Sequence, residues 1–300
     1  MYLDFFGIRE HPFRLTPDTG YFFAHSAHQG ALNVLLVALR GGEGFIKVTG
    51  EVGTGKTLLC RTLLDRLEDE LVTAYLPNPF LNPTALRMAL ADELGIAFPR
   101  NIGQHRLLQR ITERLVELNG AGRGVVLLID EAQAMPDESL EALRLLTNLE
   151  TRRHKLLQVV LFGQPELDVR LAQLRLRQLR QRITFSHRLQ PLDRDSLRAY
   201  LQHRLSVAGY GGPELFTARA LTLLHRSSRG IPRLINVLAH KALLAAYGRG
   251  TRRVTPESVR AAAADTEDAG HAGTRLRPRL AMLGTVAAFA GLLLWQGGFA

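Results

Sequence analysis

The sequence predicts an α/β fold in which a parallel β-sheet is sandwiched by helices and is followed by a small all-helical domain. Short apolar segments alternate with helical segments as far as residue 189, and only helical patterns follow Pro191. An uncharged apolar segment over residues 280–300 predicts one further helix, at the C-terminal end, that is long enough to cross a membrane.

The alternation begins after an N-terminal segment, residues 1–44, which ends in a predicted helix that starts at Ser26. Two of the strands that follow are continuous apolar runs, which is typical of central strands covered by helices on both faces. The expected strands are residues 45–50, 71–76, 124–130, 156–163 and, with a weaker pattern, 184–189.

The all-helical region covers residues 193–266. Thr217, Thr255 and Pro256 are typical of helix starts, and glycines follow three of the helical patterns. The expected helices are residues 193–208, 217–228, 232–247 and 256–264. A polar linker, residues 267–279, precedes the apolar segment.

The apolar segment 280–300 would extend about 30 Å as a helix, which matches the hydrocarbon thickness of a bilayer. Arg275, Arg277 and Arg279 precede it and no basic residue follows it. By the positive-inside rule, the preceding domains lie in the cytoplasm. A buried terminal helix is the alternative interpretation.

Composition narrows the environment and the class of partner. The formal net charge is +10, which suits phosphates, nucleic acid or an anionic membrane surface. The single cysteine, Cys60, excludes an internal disulfide framework and a cysteine-based zinc site, so a reducing compartment is expected. The histidines, among them His25, His28 and His105, show no metal-ligand spacing and are interpreted as surface or packing residues.

A glycine-rich motif lies between the first predicted strand and the following helix. It fits the phosphate-loop pattern G-x-x-x-x-G-K-[ST], in which backbone N–H groups and the start of a helix surround phosphate groups. Lys56 is expected to reach the β- and γ-phosphates of ATP, and the Thr57 hydroxyl to bind Mg²⁺. The predicted nucleotide-binding residues are Gly50, Glu51, Val52, Gly53, Thr54, Gly55, Lys56, Thr57 and Leu58.

Two carboxylates, Asp130 and Glu131, follow the apolar strand over residues 124–130. The end of such a strand lies at the edge of the sheet where ligands of parallel folds bind. We expect Asp130 to hold Mg²⁺ and Glu131 to orient or deprotonate the attacking water. Alone, an acidic pair at a strand end is also a common surface feature.

Several motifs occur in an order typical of one family: YLDFFGIREHPF with LTPD, then GEVGTGKT, LIDEAQ, FGQPEL and GIPRLIN. Over roughly residues 1–265 the chain resembles the AAA+ ATPases of the ExeA/GspA group, especially members of the MSHA pilus-biogenesis type. The resemblance implies a P-loop ATPase core over residues 45–192 and a helical lid over 193–266. It also implies that residues 1–44 pack on the nucleotide site.

The same resemblance implies further site residues. Gln164 falls at the sensor-1 position and Arg233 at the sensor-2 position, whereas Arg180 and Arg182 fall where an arginine finger reaches a neighbouring subunit's nucleotide. Each has a plainer alternative. Gln164 could cap a turn, Arg233 could be a surface arginine, and the arginine-rich run could be a solvated helix face.

The function implied is that of a membrane-anchored enzyme that binds and hydrolyses ATP with Mg²⁺ to support assembly of a type IV, MSHA-like pilus or a secretion apparatus. It would cross the bacterial inner membrane once, with a periplasmic C-terminus. Expected partners are further copies of the chain in a homo-oligomer such as a ring, inner-membrane assembly proteins and the lipid bilayer. The alternative is a DNA-associated AAA+ regulator of the transposition type, against which the terminal apolar segment argues.

Overall fold

The computed structural model describes residues 1–24, 26–99, 101–150 and 155–269. Within these ranges no helix is long and apolar enough to cross a membrane. The predicted segment 280–300, and the linker from residue 270 onward, lie outside them.

The sheet has five parallel strands in the order β2-β3-β4-β1-β5. All five predicted strands form, and the apolar runs become β3 and β4, which have neighbours on both sides. The fourth strand begins two residues later than predicted because its pairing with β3 starts at Gln158. The strands are β1 Phe45–Gly50, β2 Leu71–Leu76, β3 Gly124–Ile129, β4 Gln158–Gly163 and β5 Phe185–Leu189.

Helices cover both faces of the sheet because the side chains of each central strand alternate between two apolar layers. In β3, Val125 and Leu127 face one layer, and Val126 and Leu128 face the other. The first layer is closed by α4 to α8 and the second by α2 and α3. The helices up to the end of the sheet are α1 Tyr2–Phe6, α2 Ser26–Arg40, α3 Lys56–Leu67, α4 Pro83–Glu93, α5 Gln104–Gly120, α6 Asp137–Leu146, α7 Pro165–Leu171 and α8 Arg177–Arg180.

Four helices follow the sheet and surround a second apolar core. They lie close to the predicted ranges and are α9 Arg194–Val207, α10 Ala218–Ser228, α11 Pro232–Gly248 and α12 Pro256–Ala264. The N-terminal segment contributes Phe6, Ile8, Phe13 and Tyr21 to this core, whereas α2 packs on the sheet. The N-terminal segment therefore bridges the two regions, and the domain boundaries given above stay a prediction.

Arg204 of α9 fastens the N-terminal segment to the helical region. Its buried guanidinium donates to the carbonyl oxygens of Pro12 and Arg14, at 2.5 and 3.3 Å, and lies 4.6 Å from the centre of the Tyr21 ring. Carbonyl dipoles and an aromatic face thus compensate a buried charge that has no carboxylate partner among the described residues.

The segment after α12 turns back along the helical region. Lys241 of α11 pairs with the Asp265 carboxylate at 2.9 Å, and Arg229 donates to the backbone oxygen of Asp268 at 3.1 Å. Ala269 is buried in the same core as α9 to α12. The last described residues are therefore attached to α11 and to the end of α10.

Candidate active site

A cleft of about 200 Å³ opens where β1, β3 and β4 end, between the sheet, the N-terminal segment and the helical region. In a parallel sheet this edge is where ligands bind, because the loops after the strands converge there. The cleft is lined by Arg14, Leu15, Thr16, Pro17, Asp18, Val52, Gly53, Gly55, Lys56, Thr57, Leu58, Glu131, Gln164, Tyr200, Arg204, Pro232, Arg233 and Asn236.

The loop between β1 and α3 depends on glycine at two positions. Gly53 has φ +81° and Gly55 has φ +97°, values that other residues rarely adopt. A Cβ at residue 53 would lie 2.7 Å from the Cβ of Arg233, and one at residue 55 would lie 3.2 Å from Nε2 of His28. The loop therefore turns tightly, and α3 presents its N-terminal end to the cleft.

Lys56 is buried at the start of α3. Its ammonium donates to the backbone oxygens of Gly50, at 2.8 Å, and Glu51, at 3.0 Å. Burial lowers the pKa of Lys56, an effect opposed by the nearby carboxylates of Glu131 and Asp130. No carboxylate forms an ion pair with this ammonium within the described part of the chain. A buried cation at the N-terminus of a helix fits a phosphate group.

Thr57 and Asp130 join the first turn of α3 to the end of β3. The Thr57 hydroxyl donates to Oδ2 of Asp130 at 2.6 Å, and Oδ1 of Asp130 accepts the backbone N–H of Glu131 at 2.9 Å. Burial raises the pKa of Asp130. A hydroxyl and a carboxylate at this spacing are oxygen ligands of the kind that Mg²⁺ prefers, so the pair fits the predicted metal position.

Glu131 and Gln164 meet across the ends of β3 and β4. The side-chain amide of Gln164 donates to Oε2 of Glu131 at 3.2 Å, and both residues line the cleft. Gln164 precedes α7, yet its side chain makes no capping hydrogen bond there. The structure thus brings it to the acidic pair, as the sensor-1 position requires, while its role in hydrolysis stays a prediction.

Arg233 reaches the cleft from the helical region. It lies in the first turn of α11, and its backbone N–H donates to the oxygen of Gly53 at 3.1 Å. The helical region therefore contacts the phosphate loop directly. This placement suits a residue that responds to bound phosphate, the role that the sensor-2 position predicts.

Arg180 and Arg182 lie away from the cleft. Arg180 is exposed at the end of α8, and Arg182 donates to the backbone oxygen of Thr147 at 3.5 Å. The chain then enters β5 beside the start of β1, where Thr184 N–H donates to the oxygen of Phe45. Neither arginine can act on the chain's own phosphate loop in this arrangement, and their role as fingers stays a prediction.

His28 supports the phosphate loop, a contact that its interpretation as a surface or packing residue misses. The side chain is buried, and its Nε2 lies 2.8 Å from the backbone oxygen of Thr54. Because a carbonyl oxygen only accepts, Nε2 carries the proton of this bond. No sequence signal distinguishes His28 from the other histidines, since the contact joins α2 to a loop that is distant in sequence.

Aromatic residues line a small apolar cavity beside the phosphate loop. Its volume is about 40 Å³, and Tyr200, whose hydroxyl donates to Asn236 at 2.9 Å, borders both it and the larger cleft. Both cavities are bordered by Gly55, Leu58, Tyr200 and Pro232. Tyr21, Phe22 and Phe23 line this cavity and give it an aromatic, apolar surface.

Comparison with known proteins gives the family. The family described as "AAA domain" matches residues 39–171. Over 299 residues the chain is 43% identical to General secretion pathway protein A of Aeromonas hydrophila, and the match covers 100% of this chain and 53% of that protein. The chain thus carries an AAA domain and is similar to the AAA+ ATPases of the ExeA/GspA group. It spans about half the length of the relative, and its assignment to the MSHA pilus type within the group stays a prediction.

Solved structures agree on the fold. Cdc6p from Pyrobaculum aerophilum is 20% identical with a TM-score of 0.62, and the match covers 83% of this chain and 71% of that one. The ORC2 protein of Aeropyrum pernix, solved as ADPNP–ADP complexes, is 18% identical with the same TM-score of 0.62, over 85% and 72% of the two chains. The predicted parallel sheet with helices on both faces is thus confirmed, and the role of the helical region as a lid stays a prediction.

Replacing His28 by Ala should weaken ATP binding about fivefold, because the loop loses a hydrogen bond that contributes about 1 kcal/mol. His28→Gln keeps a side-chain N–H at similar reach and should bind nearly as tightly as the unchanged chain. Calorimetric titration with a non-hydrolysable ATP analogue measures the affinities, with the exposed His105→Ala as control. Equal affinities for all four proteins would show that His28 does not support the loop.

Proposed function

We propose that this AAA+ ATPase is anchored in the bacterial inner membrane and uses ATP with Mg²⁺ to support assembly of a secretion apparatus or a type IV, MSHA-like pilus. The observation that carries the ATP chemistry is the meeting of Lys56, the Thr57–Asp130 pair and Glu131 at one edge of the sheet. The relative's name, General secretion pathway protein A, supports the secretion role.

The phosphate loop would bind the triphosphate. Backbone N–H groups of residues 50–58 and the N-terminal end of α3 would surround the anion, and the Lys56 ammonium would exchange its two carbonyl contacts for phosphate oxygens. Arg233, already joined to Gly53 through its backbone, would add a second cation from the lid. Two positive groups from separate regions would then close on the phosphates.

Mg²⁺ would be held by the Thr57 hydroxyl and by Asp130, directly or through water. When bound, the ion neutralises charge on the phosphate oxygens. Glu131 stands next to Asp130 along the chain and lines the cleft, so its carboxylate can accept a proton from water there. Gln164, which donates to Glu131, would fix the side from which that water approaches.

An arginine finger would complete the site from a neighbouring copy of the chain. Arg180 and Arg182 are outside their own cleft, so they can serve only a second subunit. A guanidinium stabilises negative charge on a transferring phosphoryl group. We therefore propose a homo-oligomer such as a ring, with each ATP between two subunits.

Membrane anchoring rests on the sequence of residues 280–300, which contain no charge and follow three arginines. A single pass would leave the ATPase in the cytoplasm and the C-terminus in the periplasm. The partners would be the lipid bilayer and inner-membrane proteins of the pilus or secretion apparatus. The DNA-associated alternative is supported by the net charge of +10 alone.

Lys56→Ala should abolish ATP binding, because it removes the buried cation at the phosphate position. Glu131→Gln should bind ATP with unchanged affinity and hydrolyse it at least about 100-fold more slowly, since it removes the base. Calorimetry and a phosphate-release assay separate the two properties. If Glu131→Gln lost affinity as strongly as Lys56→Ala, the role of Glu131 as base would be wrong.

Arg182→Ala should lower turnover about 1000-fold while ATP still binds, because a finger contributes mainly to the transition state. Mixing it with Lys56→Ala should restore part of the activity, since the intact finger of one subunit then meets the intact nucleotide site of the other. Arg177→Ala, exposed at the start of α8 and close to Arg182 in the chain, is the control. No recovery on mixing would rule out action between subunits through Arg182.

The full chain should remain in the membrane fraction after an alkaline carbonate wash, and a chain ending at residue 269 should not. Both fractions are compared by immunoblot in a bacterial host, with an integral and a peripheral membrane protein as markers. A full chain that is released by the wash, and that binds duplex DNA more tightly than a basic control protein, would favour the DNA-associated alternative.

A further inference from the structure

We propose that Gln133 is a positioning residue that holds the Glu131 carboxylate in place for its role as base. The proposal rests on the function given above for Glu131. It concerns a residue that lies outside the phosphate loop and does not line the cleft. Gln133 therefore acts on the reaction through Glu131 and not through ATP.

The backbone after β3 makes this contact possible. Glu131 has φ +52°, and among the described residues only Arg229 shares a positive φ without being glycine. A short 3₁₀ turn, Ala132–Ala134, follows at once and returns the chain toward Glu131. Left-handed backbone of this kind is strained and persists only where neighbouring contacts hold it. Gln133, at the centre of the turn, provides such contacts.

Two amides converge on one oxygen of Glu131. The side-chain amide groups of Gln133 and Gln164 both donate to Oε2, the latter at 3.2 Å. Oε1 of Glu131 has no hydrogen-bond partner in the described ranges. One oxygen is thus held from two directions, while the other is left to accept a proton. A base must lie within hydrogen-bond reach of that proton, so fixing its direction increases the rate.

The orientation of the Gln133 amide is determined by its partners. Its Oε1 accepts the backbone N–H of Gln164 at 2.9 Å, while its Nε2 donates to Glu131. With oxygen and nitrogen exchanged, an oxygen would face the carboxylate and an N–H₂ group would face an N–H. Both contacts would then be repulsive, so the donor faces the base.

Contacts from α7 and β4 secure the turn that carries Gln133. Arg170 donates to the backbone oxygen of Gln133 at 2.6 Å and also pairs with Asp137. At the end of β4, a Cβ on Gly163 would lie 3.3 Å from Oε1 of Gln133 and 2.7 Å from Leu167. A side chain at residue 163 would therefore crowd Leu167 and, to a smaller degree, Gln133.

The test compares full-length chains with different groups at residue 133. Gln133→Met keeps the length of the side chain and removes the donor and the acceptor. Gln133→His keeps a ring N–H at similar reach. Gln109→Met is the matched control, because Gln109 also donates to a glutamate, Glu113, but on the exposed face of α5.

We expect Gln133→Met to lower kcat about tenfold or more, as for loss of a hydrogen bond to a charged group, while the Kd for ATP changes less than about twofold. Gln133→His should lie between Gln133→Met and the unchanged chain, and Gln109→Met should match the latter. In a Glu131→Gln background, Gln133→Met should lower single-turnover hydrolysis no further, because the two residues act as one unit.

An unchanged kcat for Gln133→Met would overturn the proposal, as would a loss of ATP affinity equal to the loss of kcat. An additive effect in the Glu131→Gln background would also overturn it, since Gln133 would then act independently of the base.

These results leave the proposed ATPase function intact if the unchanged chain hydrolyses ATP and Glu131→Gln does not. Absence of hydrolysis by the unchanged chain would instead overturn both. Should Gln133→Met fail to fold, Gln133→His decides: a kcat within about threefold of that of the unchanged chain would support the requirement for a donor, and a kcat about tenfold lower would contradict it.

Discussion

The hydrogen bond from Thr57 to Asp130 is the contact on which the geometry of the site depends. It joins the helix that follows β1 to the end of β3, although β4 lies between these strands. The register of three parallel strands therefore brings the phosphate loop, the acidic pair and Gln164 to one edge. Burial raises the pKa of Asp130 and lowers that of Lys56. The charged form of each side chain is therefore stabilised by the opposite charge of the other, and a charged ligand in the cleft would affect both.

The other wall of the cleft is built from two regions that are far apart in sequence. The N-terminal segment packs into the core of the lid and is fastened by Arg204, so the two form one wall opposite the sheet. Arg204 is surrounded by carbonyl oxygens and aromatic rings and not by a carboxylate. A charge of this kind requires its surroundings to stay in place, so it couples the N-terminal segment to the helical region beside the cleft, which Arg14 and Asn236 both line.

Local patterns in the sequence predicted most of the architecture and the centre of the site. Strands of continuous apolar residues, the glycine-rich loop and the acidic pair at a strand end each depend on neighbours in the chain, so their spacing carries the information. His28 and Gln133 were not predicted. The role of His28 depends on its contact with a loop that is distant in sequence, and that of Gln133 depends on the left-handed backbone of Glu131. The packing of residues 1–21 on the lid was missed for the same reason, since no local pattern records which of two cores an aromatic side chain enters.

The attachment of residues 265–269 to α10 and α11 determines which part of the fold would bear a pulling force on the chain. Through Lys241, Arg229 and the buried Ala269, the chain leaves the described structure from the lid and not from the sheet. A pulling force on the chain beyond residue 269 would therefore act first on α11, the helix whose first turn contacts Gly53. Under the proposed anchoring, α11 would link the phosphate loop, at its first turn, to the membrane segment.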